Sequence, residues 1–132
     1  SNVLGEVGQV DEAVYNAEKA TMIDPSSALA YNTLAIALVQ RAYRKQSAGH
    51  RRDGHADLEH AVNAARRAVA LDGDDLTYQV NLGRSLALAG QLEPALHVLE
   101  RALRMAPGMS EIRQIRDELR SQIYKRGPST PR

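Results

Sequence analysis

The stretch Leu76–Met109, LTYQVNLGRSLALAGQLEPALHVLERALRMAPGM, decides the architecture of this 132-residue chain. Its small and turn-forming residues fall at Gly83, Gly90, Ala95, Ala102 and Pro107. Leu92, Ala95, Leu96, Leu99, Ala102 and Leu103 recur with the helical period and predict one apolar face, with Glu100, Arg101 and Arg104 on the other. Pro94 fits the first turn of that helix, and Gly90 permits a tight turn just before it. Pro107 ends the helix. The stretch therefore reads as two helices joined by a short turn.

The same punctuation appears upstream. Gly8, Ala13, Ala20 and Pro25 repeat the second half of the pattern, with Leu4 where Leu86 stands in the later copy. Between the two, Tyr31, Leu34 and Ala35 match the first half, whereas Ala61, Ala65, Ala68 and Gly73 match the second half in a register displaced by 14 residues. Repetition at this length is the signature of a helical solenoid.

A unit of 34 residues with Leu82-Gly83, spaced small residues and a closing Pro107 resembles the tetratricopeptide repeat (TPR), although Gln79 and Leu86 replace the Trp and Tyr that the family prefers. The resemblance covers residues 1–109 and implies an all-α fold of antiparallel helix-turn-helix repeats stacked as a right-handed TPR-like α-solenoid. Its expected parts are a half repeat at 1–27, a repeat carrying a 14-residue insert at 28–75, a repeat at 76–109, a capping helix at 110–126 and a disordered tail at 127–132. The capping helix rests on Ile112, Ile115, Leu119 and Ile123, interleaved with Arg113, Arg116, Asp117, Glu118 and Arg120. Ser1-Asn2 and the entry partway through a repeat point to a segment cut from a longer protein.

Composition agrees with helices. Charged residues make up 25% and aromatic residues only 4%, and the formal net charge is +1. No apolar run is long enough for a membrane span. The absence of cysteine removes disulfides and thiolate metal sites and fits a cytoplasmic location. A nucleophile elbow, a His-Glu-x-x-His motif, a phosphate loop and a dinucleotide fingerprint are all missing, while Glu59, Glu93 and Glu118 fall on expected solvent faces. No enzymatic activity and no cofactor are expected. Asp72-Gly73-Asp74-Asp75 takes the place of the closing turn and reads as a turn with a helix N-cap rather than a calcium loop. His50, His55 and His60 are five residues apart, about 140° around a helix, which does not suit a helical metal motif.

The resemblance places function on a concave face lined by the first helix of each repeat. In this sequence those positions are Leu29, Asn32, Thr33, Ile36, Val39 and Gln40, then Thr77, Val80, Asn81, Arg84 and Leu88. Asn32, Asn81 and Arg84 are the candidates for gripping a peptide, because amides donate and accept and Arg can hold a carboxylate with two bonds. Some relatives clamp the terminal carboxylate of heat-shock chaperones, but Thr77 and Asn81 do not supply the cations that such a clamp needs. The expected role is therefore a protein-interaction module that binds a partner peptide or helix, the partner unspecified.

Two irregular regions carry the alternatives. The insert, roughly Ala42 to His55, adds Arg44, Lys45, Arg51 and Arg52 to Arg41 against the single acid Asp53. It reads either as a basic lobe for an acidic partner or nucleic acid, or as a solvated, loosely ordered excursion at a turn. The second is expected, because Tyr43 is the only aromatic residue there for base stacking. The first helix should continue to about Ser47-Ala48-Gly49, and the second should start near His55. In the half repeat, a helix from Val10 to Ile23 leaves Val14, Ala17 and Met22 without their usual partner, which invites a homodimer or a spacer role in a larger enzyme or regulator.

Overall fold

Six helices account for the chain in a computed structural model that describes residues 3–127. They are α1 (Val3–Ile23), α2 (Ala28–Ser47), α3 (Arg51–Leu71), α4 (Leu76–Leu88), α5 (Leu92–Met105) and α6 (Ser110–Arg126). Each helix packs on the next in sequence, and α2 also touches α4, so the hairpins stack side by side. Of the expected tail, Gly127 closes α6 with φ 80°, and residues 128–132 lie outside the described residues.

Local chemistry sets the helix ends. The Ser27 hydroxyl accepts from the Ala30 N–H at 3.1 Å, and the Asp75 carboxylate accepts from the Tyr78 N–H at 3.2 Å. Each cap contributes about 1 kcal/mol. The acidic run at 72–75 is thus a turn ending in an N-cap. Within the hairpins, Ala48-Gly49-His50 and Ala89-Gly90-Gln91 make the same turn. Gly49 and Gly90 have φ of 90° and 85°, and the N–H groups of His50 and Gln91 donate to the carbonyls of Lys45 (2.8 Å) and Leu86 (2.9 Å). Glycine is required there because a Cβ is strained at these angles.

Small residues let the helices approach. Ala35 and Ala42 on α2, and Gly54, Ala61 and Ala68 on α3, are all buried and recur by sevens. A Cβ on Gly54 would lie 3.0 Å from the Ala42 carbonyl oxygen and 2.7 Å from Gln46 Cγ. In the next hairpin, a Cβ on Gly83 would lie 2.9 Å from Leu99, which is fully buried. Leu82, Leu86, Leu99, Ile112 and Leu119 belong to the main core, and Val14, Ala37, Leu38 and Ala61 form a second cluster beneath α1.

Three sequence expectations are corrected. The insert is no loose excursion: α2 has 20 residues and α3 has 21, against 13 in α4 and 14 in α5, so each is longer by seven, and together they absorb the 14 residues. α3 starts at Arg51 rather than near His55. Seven residues are almost two helical turns, with a drift of only about 20°, so an extension of this length keeps the inward face inward. Second, Gly8 lies inside α1 rather than at a turn between helices. Third, Val14 and Ala17 are buried, and of the three residues expected to lack a partner only Met22 is exposed.

Candidate partner-binding groove

The helices α2, α4 and α6 begin after Ser27, Asp75 and Met109. The last two caps are one 34-residue unit apart, so α6 continues the repeat phase and stands as the first helix of a further unit. Advancing the α4 positions Thr77, Asn81, Arg84 and Leu88 by one unit gives Glu111, Ile115, Glu118 and Gln122. These four, which the sequence reading left out of the site, line grooves beside α4. The missed signal was the period itself, obscured because no further helix follows α6 among the described residues and it reads as a cap.

A depression of about 300 Å³ lies between α2 and α4, lined by Ala35, Ile36, Val39, Gln40, Asn81, Arg84, Ser85 and Leu88. Two more, of about 410 and 240 Å³, lie between α4 and α6. All three include Arg84. Ile36 and Leu88 are 43% and 55% exposed at the groove's edge, so their methyl groups are available to a partner without loss of core packing. The Arg84 guanidinium is 2.6 Å from Glu111 Oε1, with both side chains at least half exposed. Such a pair contributes about 0–1 kcal/mol and is easily exchanged for another acceptor.

The candidate residues do not all share one surface. Ile36, Val39, Gln40, Asn81, Arg84 and Leu88 come together, and Thr77 and Val80 join Asn81 and Arg84 in the adjoining groove. Leu29 and Thr33 belong to a separate depression of about 400 Å³ with Ala20, Ile23 and Asp24. Asn32 is buried, and its Oδ1 accepts from Asn81 Nδ2 at 2.9 Å. A buried amide needs such a partner, so this bond ties α2 to α4 and takes Asn32 out of the peptide-gripping set.

The basic insert also divides. Arg41 donates from Nε and Nη2 to both oxygens of Asp57, each at 2.9 Å, and Lys45 Nζ lies 3.0 Å from Asp57 Oδ2. Asp11 of α1 adds a 3.3 Å contact to Arg41. Burial alone pushes the Asp57 carboxyl up, but the bonds from Arg41 and Lys45 outweigh it and hold the group below its ordinary value. The same pairing raises Arg41. Arg44, Arg51 and Arg52 are exposed. His55 lies 3.1 Å from Glu59 on its own helix. The clue in the sequence was phase: Arg41 and Lys45 stand seven residues after Leu34 and Leu38 and so face inward.

No family model matches the chain, and no curated protein matches it. Solved structures do. A thermophilic TPR protein of Thermus thermophilus is similar over 89% of this chain, with a TM-score of 0.73 and 25% identity. A Thermobaculum terrenum O-GlcNAc transferase is similar over 85%, with a TM-score of 0.56 and 20% identity. The chain spans 58% of the length of the first and 21% of the second. Six helices in stacked hairpins, without strands among the described residues, make an α-solenoid. Its repeating unit is of the tetratricopeptide type, and the chain has the TPR-like helical repeat fold. No described helix is long and apolar enough to cross a membrane. A fold of this kind supports a role in protein interaction.

Proposed function

We propose that this chain binds a partner peptide or helix in the groove formed by α2, α4 and α6, as a non-catalytic interaction module of a cytoplasmic protein. The observation that carries the reading is the apolar edge of Ile36 and Leu88 around Arg84, the residue common to all three depressions. Apolar burial supplies affinity, and Arg84, released from Glu111, supplies orientation. Peptides selected against the protein from a display library would be titrated against I36D and L88D by calorimetry. Each variant is expected to weaken binding roughly tenfold or more, the value of one buried aliphatic side chain. Selected peptides that bind both variants as tightly as the parent would overturn the reading.

Self-association is a second reading, favoured by Met22, Ile23 and Leu29, which are 78%, 81% and 64% exposed at one end of the stack. An apolar patch of this kind is a common contact between copies. Sedimentation velocity should show concentration-dependent dimers that I23E abolishes. A parent chain that stays monomeric throughout the range removes this reading.

A further inference from the structure

We propose that the tip of the α2–α3 hairpin is a second interaction surface, separate from the groove, that docks an acidic segment of a protein partner. The seven-residue extension carries this tip about 10 Å beyond the end a standard hairpin would reach. Its base is held firmly. Gly54 brings α3 against Ala42, and Asp57 ties Arg41 and Lys45 together beneath the tip.

The structure sorts the basic residues of the insert into two groups. Arg41 and Lys45 are consumed by Asp57 and serve the fold. Arg51 and Arg52 are exposed and make no ion pair among the described residues. They stand in the first turn of α3, with Asp53 the only acid there. Cations at that end of a helix oppose its dipole, so folding gives no reason for two arginines in succession. Exposed His50 precedes them directly, and Tyr43 near the end of α2 is 71% exposed.

The chemistry of this tip selects its partner. Planar guanidinium groups hold carboxylates through paired hydrogen bonds. Single-stranded nucleic acid would need a groove of cations that tracks its backbone and several aromatic faces for stacking. The insert has Tyr43 as its single aromatic residue, which favours a short run of Asp and Glu side chains.

Fluorescence anisotropy with a labelled short poly-glutamate peptide tests the proposal, using oligo-thymidylate of equal charge as the rival probe. Poly-glutamate should bind, and R51A/R52A should weaken it roughly fivefold or more, as the loss of two charge pairs implies. R101A/R104A, which removes two exposed cations from α5, should change it less than about twofold. A chain lacking residues 41–47 and 51–57 should not bind. Helicity by circular dichroism verifies that the point variants are folded, since both arginines are exposed. The proposal is overturned if R51A/R52A binds as the parent does, if it loses no more than R101A/R104A, or if oligo-thymidylate binds more tightly than poly-glutamate.

Discussion

The α2–α3 and α4–α5 hairpins share their turn, their small-residue seam and their capping, and differ in what fills the inward positions near the turn. In α4–α5, Leu86 and Leu99 are completely buried. In the extension of α2–α3, the corresponding seam passes from Leu34 and Leu38 to Arg41 and Lys45, closed by Asp57 of α3. The difference teaches that a repeat can be lengthened without disturbing its stack, provided both helices grow by the same near-integral number of turns. The added layer can then be polar. It lies at the end of the hairpin, where Arg41 and Lys45 keep side-chain exposures of 24% and 32% while Asp57 keeps only 5%.

Unequal shortening is the strongest way to break this equivalence. Deleting residues 41–47 and 51–57 together joins Gln40 to Ala48 and His50 to Leu58, which recreates the spacing of Leu88, Ala89, Gly90, Gln91 and Leu92. That chain should retain one cooperative urea transition, because the ion cluster leaves as a unit. Deleting 41–47 alone leaves Asp57 without Arg41 and Lys45 and the two helices unequal, and should cost roughly 4 kcal/mol or more. Equal stability of the two deletions would show that matched lengths do not hold this hairpin.

Asp57→Ala probes the same layer with a smaller effect. At neutral pH it should cost about 2 kcal/mol, the value of charge-assisted bonds whose cations can still reach solvent. The acid limb gives the sign. The Asp57 pKa in the folded chain lies below the ordinary 3.8, so the unfolded chain binds the proton more readily. Its stabilisation is therefore complete above that ordinary value and disappears as pH falls through the depressed one. Urea denaturation should show the parent and the variant converging as pH falls below the ordinary 3.8 and through the depressed value. An unchanged difference at acid pH would mean that packing, not charge, accounts for the effect of the substitution.

Much of this was legible in the residues. Gly90, Ala95, Ala102 and Pro107 state the unit, and Ala48-Gly49 restates its turn seven residues late, because backbone angles and close helix contacts accept few other side chains. The groove was legible only in part. Ile36, Arg84 and Leu88 follow from helical phase, but Asn32, which has the phase of a groove residue, is buried with its amide bonded to Asn81. Glu111, Ile115, Glu118 and Gln122 required α6 to be recognised as a repeat helix rather than a cap.

The sequence by itself determined the helices, their order and the small-residue seams, since each depends on propensity, period and turn chemistry within a few residues. Only the tertiary structure decided which charges were spent internally. Arg41 and Arg51 are both arginines of one basic stretch, yet Arg41 faces Asp57, 16 positions along the chain, across the hairpin, while Arg51 faces solvent. The fate of a charge depends on what stands opposite it in space, and that partner is fixed by how two helices are brought together rather than by its neighbours in the chain.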